Sequence, residues 1–128
     1  MSKFSEKVIQ VVNSVPHGTV VSYGQVALYI GVPRAARQVG WILNRNEGKD
    51  LAWWRVINNQ GRISIKGCKY NTPELQRKLL QAEGIHVDKE FNLDIEHYRF
   101  RPDHSYLKQF ELDEEYLEMV LERIPPGE

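Results

Sequence analysis

Two short amphipathic segments joined by a tight turn constrain the fold of this chain more than any other feature. Ser22, with Gln25 three residues later, forms a capping-box pattern, which predicts that a helix begins there. Gly31 suits the left-handed position after that helix, and Pro33 suits the first turn of the next one, expected over residues 34–44. The arrangement predicts a helix-turn-helix, although many helical bundles also contain such a pair.

The rest of the chain predicts further helices and a small β-hairpin. Apolar residues at helical spacing indicate three more helices, over residues 3–15, 72–84 and 113–124, with Asp113 as the N-cap of the last. The segments 55–58 and 62–65 flank Asn59-Gln60-Gly61, which is typical of a small hairpin or wing. The expected fold class is therefore mainly α with a small β-hairpin, a winged helix-turn-helix-like domain plus a C-terminal helix.

Length and composition exclude several classes of protein. The chain has 128 residues, of which 41% are hydrophobic and 27% charged, ordinary values for a globular domain. Its apolar runs are far shorter than the roughly 20 residues that span a bilayer, and its N-terminus has no apolar signal core, so we expect a cytoplasmic protein with no membrane partner. One cysteine, Cys68, and histidines without helical ligand spacing predict no metal site and no cofactor.

The charge of the chain is unevenly distributed, although its net value is zero. Residues 1–87 contain 12 Lys and Arg against 5 Asp and Glu, a balance of +7, whereas residues 88–128 contain 5 against 12, a balance of −7. In most proteins such a difference reflects only an uneven distribution of surface charge and has no functional meaning. Because the basic part also contains the helix pair, the pattern favours an anionic partner for that part.

The second helix of the pair has a slim surface that suits a narrow groove. Ala36 and Gly40 lie one turn apart, and Ala35 extends the same surface. The minor groove of DNA is only about 6 Å wide and excludes helices with large side chains. Arg37 beside this surface could enter the base stack, and Arg34 could pair with a phosphate. Close packing against another helix is the alternative explanation for the small residues.

Four motifs together resemble the DNA-binding domain of the O6-alkylguanine-DNA alkyltransferases, over roughly residues 4–102. They are Val21-Ser22-Tyr23-Gly24-Gln25, Ala35-Ala36-Arg37-Gln38-Val39-Gly40, Leu51-Ala52-Trp53-Trp54-Arg55-Val56-Ile57-Asn58 and Ala82-Glu83-Gly84-Ile85. The active-site motif of that family is Pro-Cys-His-Arg-Val, and Ala52-Trp53-Trp54-Arg55-Val56 occupies its place. The chain is therefore similar to the alkyltransferase-like branch, in which the cysteine is replaced, commonly by tryptophan.

The replaced motif predicts a protein that is not an enzyme. Alkyl transfer needs a nucleophile, which the family provides as a thiolate activated by a neighbouring base. Trp53 has only an indole N–H and an aromatic face, so it cannot accept an alkyl group, and Trp54 stands in place of the base histidine. Glu83 remains at the place of the family's orienting residue, and we expect a structural role for it in the pocket wall.

The resemblance implies minor-groove binding to O6-alkylguanine in duplex DNA, with nucleotide flipping, no alkyl transfer, and flagging of the lesion for nucleotide excision repair. Arg37 would fill the space that the flipped base leaves, and Tyr23 would press on the adjacent phosphate. A half-buried ring with its hydroxyl in water is the alternative for Tyr23. The minor-groove contacts implied are those of Arg34, Ala35, Ala36 and Gly40.

The same resemblance implies a lesion pocket formed by Trp53, Trp54, Val56, Lys66 and Glu83. The backbone carbonyls of Trp53 and Val56 match the family's acceptors for the guanine amine, and the Trp53 ring could stack on the base. Lys66 falls where related non-catalytic members place a basic residue over the base, with a solvated surface lysine as the alternative. Asn46 resembles an asparagine that braces the loop before the active-site motif.

The expected organisation is a DNA-binding domain over residues 1–102 and an acidic helical extension over residues 103–128 packed on it. Because acidic groups repel DNA, we expect the extension away from the basic face, either covering an apolar patch or meeting a repair protein. A monomer is expected.

Two other functions stay open from the sequence. An active alkyltransferase using Cys68 would gain alkyl mass on that residue. A helix-turn-helix regulator that reads sequence would need long polar side chains on the recognition helix, where this chain has Ala35, Ala36 and Gly40.

Overall fold

Helices dominate the chain in the computed structural model, which describes residues 3–45, 50–64 and 71–127. The α-helices are α1 (Lys3–Ser14), α2 (Tyr23–Tyr29), α3 (Ala36–Arg45), α4 (Pro73–Ala82), α5 (Ile95–Tyr98), α6 (His104–Leu107) and α7 (Glu114–Arg123). The remaining elements are the 3₁₀ helices Trp53–Arg55 and Lys108–Phe110 and the strands β1 (Val21–Ser22) and β2 (Val56–Ile57). Among the helices of these ranges, none combines the length and apolar character that crossing a membrane requires.

The predicted helix pair is confirmed as α2 and α3. The Ser22 hydroxyl accepts the Gln25 N–H at 3.0 Å, and the Gln25 side chain accepts the Ser22 N–H at 3.3 Å, which completes the capping box. Gly31 has a φ of +88°, in the left-handed region that favours glycine. α3 begins at Ala36 rather than at residue 34, because a turn closed by the Ala35 N–H and the Val32 carbonyl precedes it.

The small β element pairs differently from the predicted hairpin. β2 lies parallel to β1, with Val21 opposite Val56 and Ser22 opposite Ile57. The expected turn is present, since the Asn58 carboxamide oxygen accepts the N–H groups of Gln60 and Arg62. The Asn58 N–H also bonds to the Arg62 carbonyl, which closes the turn. Beyond it the Ile63 N–H bonds to the Phe91 carbonyl, so residues 61–63 pair with residues 91–93 rather than with β2. The mainly helical class is confirmed, and its sheet is parallel.

The apolar core consists of two clusters. The larger one gathers α1, α2, α3 and α7 around buried residues such as Val8, Val12, Leu28, Val39 and Leu117. The smaller one contains buried residues of β2, α4 and the segment 85–95, among them Ile57, Leu80 and Ile85. Because α3 buries Val39, Ile42 and Leu43 in the larger cluster, its opposite face is held outward.

The segment after residue 102 packs on the helix pair. Leu117 and Val120 of α7 are buried in the larger cluster, and the Tyr116 hydroxyl donates to the Leu28 carbonyl of α2. The last turn of this segment lies beside the helix pair. Arg123 and Ile124 line a groove that also includes Tyr23 and Ala36, because packing on α2 brings the end of α7 to that side.

Candidate nucleic-acid interface

A cleft of about 570 Å³ opens along the exposed face of α3. Its described lining residues are Tyr23, Ala36, Arg37, Gly40, Trp41, Leu43, Asn44, Trp53, Ser64 and Asn71. The volume is within the range of small-ligand pockets, about 300–1,000 Å³. We call it the Trp53 cleft. It brings together the predicted flipping pair, the small residues Ala36 and Gly40, and Trp53, the predicted replacement for the nucleophile.

The small side chains at the start of α3 and just before it are explained by different contacts. A Cβ added at Gly40 would meet only the Tyr23 ring, at 3.9 Å, an ordinary van der Waals contact, so packing among the described residues does not require glycine there. Ala35, by contrast, is partly buried against the larger core cluster, where a small side chain serves packing. A role in contacting a narrow groove therefore explains the small residue at position 40 better than the one at position 35.

The two arginines of this region are directed to solvent. Arg34 and Arg37 are both exposed, and neither forms an ion pair with another residue of the described part of the chain. Arg37 is the one charged residue among the described residues that line the Trp53 cleft. An unpaired guanidinium at the edge of a cleft is available to a phosphate or a base.

Tyr23 is the first residue of α2, directly after the Ser22 cap. Its side chain is partly buried against the larger cluster, and this burial raises the pKa of the Tyr23 phenol. Tyr23 is thus a neutral hydroxyl donor at the edge of the cleft. The two sequence interpretations of Tyr23, a half-buried ring and a phosphate contact, are compatible in this position.

Trp53 and Trp54 are consecutive but lie in different environments. The two rings meet edge to face, with centroids 6.2 Å apart and planes at 90°. Trp53 lines the cleft, whereas Trp54 packs against the smaller core cluster. The 3₁₀ helix Trp53–Arg55 causes this divergence, because three residues per turn rotate successive side chains by about 120°.

Glu83 is the centre of a bonded cluster behind Trp54. Its carboxylate accepts the Trp54 indole N–H at 2.7 Å, the Gly18 N–H at 2.8 Å and the Arg55 guanidinium at 2.8 Å. Arg55 also donates to the Val15 carbonyl at 2.9 Å. The side chains of Arg55 and Glu83 are only 15% and 6% exposed. We call Gly18, Trp54, Arg55 and Glu83 the Glu83 cluster.

The protonation state of Glu83 follows from these contacts. Burial raises the pKa of Glu83, but the hydrogen bonds from Arg55, Gly18 and Trp54 and the Arg55 charge outweigh it, so the pKa is lowered. Glu83 is therefore a carboxylate whose hydrogen-bonding capacity is used within the protein. It is not among the described residues that line the Trp53 cleft.

The structure does not bring the whole predicted lesion pocket together. Like Glu83, Trp54 and Val56 are absent from the described lining of the Trp53 cleft. The Val56 carbonyl accepts the Gln76 side-chain N–H at 2.9 Å, and the Trp53 carbonyl accepts the Val56 N–H. The two carbonyls expected to receive a guanine amine are thus engaged internally. Asn46, Lys66 and Cys68 lie outside the described residues.

Several cleft residues were not predicted from the sequence. Trp41 is 53% exposed and lies one helical turn after Arg37, and Asn44 follows it on α3. Helical spacing from Arg37 could have identified both. Ser64 and Asn71 come from other parts of the chain and have no comparable local signal. Within the described residues, no three His, Cys, Asp or Glu side chains gather as a possible metal site.

Known proteins are similar in sequence to this chain. The family model for the 6-O-methylguanine DNA methyltransferase, DNA binding domain, matches residues 3–85. The Escherichia coli "DNA base-flipping protein" is 45% identical over 100 residues, 76% of this chain and 74% of that protein. The Schizosaccharomyces pombe "Alkyltransferase-like protein 1" is 33% identical over 107 residues, 80% of this chain and 98% of that protein.

Solved structures resemble the fold as well. A crystal structure of Schizosaccharomyces pombe Atl1 in complex with damaged DNA containing O6-carboxymethylguanine aligns with a TM-score of 0.73 and 33% identity, covering 80% of this chain and 98% of that one. The Mycobacterium tuberculosis O6-methylguanine methyltransferase aligns with a TM-score of 0.53 and 30% identity, covering 65% of this chain and 49% of that one.

Proposed function

This chain belongs to the family of the 6-O-methylguanine DNA methyltransferase DNA-binding domain, and on that premise we propose that it binds O6-alkylguanine in duplex DNA, turns the nucleotide into the Trp53 cleft and leaves the alkyl group in place. One observation carries the proposal. Trp53, which the resemblance aligns with the family's nucleophile, lines the same cleft as Tyr23 and Arg37.

Each part of the cleft has a role in this proposal. The α3 face with Ala36 and Gly40 enters the minor groove, and Arg37 occupies the space that the nucleotide leaves. The Tyr23 hydroxyl donates to the phosphate beside the flipped nucleotide, which favours its rotation. Extrusion costs a few kcal/mol and costs least where alkylation has weakened the base pair, so binding selects damaged sites.

The cleft offers the flipped base an aromatic surface and no alkyl acceptor. Trp53 contacts the base, and stacking of this kind contributes about 1–3 kcal/mol. Trp41, which lines the same cleft, adds a second indole surface for the base or its alkyl group. The Glu83 carboxylate accepts the Trp54 indole N–H and the Arg55 guanidinium, and neither partner is a base that could take a proton from a nucleophile.

Binding and transfer are tested with one pair of duplexes, identical except for a single O6-methylguanine carrying a labelled methyl group. We expect tighter binding to the modified duplex and no label on the protein. Equal affinity for both duplexes would overturn the binding half of the proposal. Label on the protein would overturn the other half, and mass spectrometry would then show whether Cys68 carries the methyl group.

Flipping is tested with a fluorescent base analogue at the lesion. Arg37→Ala is expected to reduce both affinity and the fluorescence change on binding, because nothing then fills the vacated space. Arg62→Ala, an exposed arginine outside the described lining of the cleft, is the control. An undiminished signal in Arg37→Ala would remove Arg37 from the mechanism.

We further propose that a monomer of the protein presents the bound lesion to nucleotide excision repair, a step that the family resemblance supports. The test is incision of the modified duplex by purified excision-repair proteins with and without this protein. Faster incision is expected, and unchanged incision would contradict the handover. Sedimentation at micromolar concentration checks the monomer.

A further inference from the structure

A second groove, of about 560 Å³, borders the Trp53 cleft, and the two share Tyr23 and Ala36. Three arginines line it, Arg99, Arg101 and Arg123. They are the only arginines of the acidic segment 88–128, whose overall balance is −7. The segment thus places all its guanidinium groups in one groove, on the side of the molecule where DNA binding is proposed. We call it the arginine groove.

Separate elements position these arginines. Arg99 directly follows α5 in an extended conformation, and Arg101 lies two residues further on. Because side chains two residues apart in extended chain point to the same side, both arginines face the groove. Arg99 donates to the Gln25 side-chain oxygen at 3.0 Å, and Gln25 is 2% exposed within α2. Arg123 ends α7, which the buried Leu117 and Val120 hold against the core. The groove is therefore a product of the packed fold rather than of neighbouring surface residues.

The charge of the groove favours an anion. Glu96 is the one acidic residue among its described lining residues, and it pairs with Arg99 at 3.0 Å and with Arg101 at 2.7 Å. Arg123 is exposed and forms no ion pair with any residue in the described ranges. None of the α7 glutamates, Glu114, Glu115, Glu118 and Glu122, lines the groove. An excess of two positive charges remains.

We propose that the arginine groove binds a backbone phosphate of the damaged duplex next to the flipped nucleotide, with Arg123 as its principal ligand. Guanidinium groups match phosphate oxygens in planar, two-pronged hydrogen bonding. The groove adjoins Tyr23, for which a phosphate contact is proposed above. The segment beyond residue 102 then extends the DNA-binding surface, although its overall charge is negative. This inference rests on the proposed function.

Salt dependence measures the contact directly. The slope of log affinity against log salt concentration changes by about 0.9 for each phosphate that a protein neutralises. Arg123→Gln is therefore expected to flatten the slope by about one on modified and unmodified duplexes alike. Lys108→Gln makes the same change in net charge on an exposed residue outside the groove, and its slope is expected to equal that of the wild type. An unchanged slope for Arg123→Gln, or an equal loss in both variants, would overturn the inference.

Two further measurements show whether a negative result concerns lesion binding or the arginine groove. Wild-type preference for the modified duplex tests lesion binding, whereas the Arg123→Gln slope tests the groove, so either can fail alone. Inorganic phosphate is titrated while the Arg123 side-chain N–H signal is followed by NMR. A shift that saturates with duplex but not with millimolar phosphate supports the backbone contact. Saturation by free phosphate, together with an unchanged slope, would assign the groove to small anions and overturn the proposal.

Discussion

The Trp53 cleft and the Glu83 cluster adjoin at two consecutive tryptophans, yet their side chains are used in opposite ways. Trp54 donates its indole N–H to a buried carboxylate, whereas the Trp53 side chain forms no hydrogen bond with another described residue. In the cluster the carboxylate of Glu83 receives bonds from three residues. In the cleft Arg37 forms no ion pair with a residue that the structure describes, and a second indole, Trp41, is 53% exposed.

The difference assigns the two side chains to different tasks. Trp54 is bonded to Glu83 and packs against the smaller core cluster. Trp53 lines the Trp53 cleft and, on the proposed function, stands where catalytic members of the family have their nucleophile. We therefore expect changes in the cluster to alter stability and changes in the cleft to alter DNA binding.

The largest effect is expected from Glu83→Ala. Removing one partner of a buried ion pair costs about 3–5 kcal/mol, and because Arg55 is 15% exposed we expect the lower end, about 3 kcal/mol of unfolding free energy. Urea denaturation measures it, with the exposed Glu118→Ala as a control expected within about 0.5 kcal/mol of the wild type. A Glu83→Ala protein as stable as the wild type would show that the cluster does not hold the fold together.

The second effect is expected from Trp53→Ala, on affinity rather than on folding. Loss of a base–aromatic contact of about 1–3 kcal/mol corresponds to roughly 5- to 150-fold weaker binding of the modified duplex. Fluorescence anisotropy measures the affinity, and Trp53→Phe should retain part of it. If Trp53→Ala bound the lesion as tightly as the wild type, the cleft would not be where the base lies.

Trp54→Phe tests whether the second tryptophan acts in stability rather than in DNA binding, because it is a conservative change next to Trp53. It removes the donor to Glu83 and keeps an aromatic ring, so we expect a loss of about 1 kcal/mol in unfolding free energy. Affinity of the folded variant for the modified duplex should match the wild type. A selective loss of affinity with unchanged stability would reverse the roles assigned to the two tryptophans.

The smallest effect is expected from acid. Because the folded state lowers the pKa of Glu83, the carboxylate stabilises the fold at pH values above its ordinary 4.5, and this stabilisation is lost as the pH falls through the lowered value. Glu96, whose pKa is lowered by Arg99, contributes in the same direction. Denaturation of Glu83→Gln and Glu96→Gln between pH 7 and pH 3 separates the two. The loss of stability as the pH falls should be smaller in Glu83→Gln than in the wild type. A loss identical to that of the wild type would contradict the assignment of Glu83 as a carboxylate with a lowered pKa.

The sequence by itself determined the features whose causes lie within a few residues. The Ser22–Gln25 capping box, the left-handed Gly31 and the Asp113 cap are all present, because each depends on hydrogen bonds or sterics within one helical turn. The resemblance also indicated three side chains of one binding site. Tyr23, Arg37 and Trp53 do meet in one cleft.

Only the tertiary structure decided the features that depend on distant residues. The pairing of β2 with β1 instead of with residues 62–64, the hydrogen bond of Trp54 to Glu83, and the meeting of Arg99 and Arg101 with Arg123 each join segments that are 22 or more residues apart in the sequence. Composition had indicated an acidic end that avoids DNA. Net charge is a sum over a whole segment, whereas a phosphate interacts mainly with the few charges near it. The packing of the fold determines which charges those are.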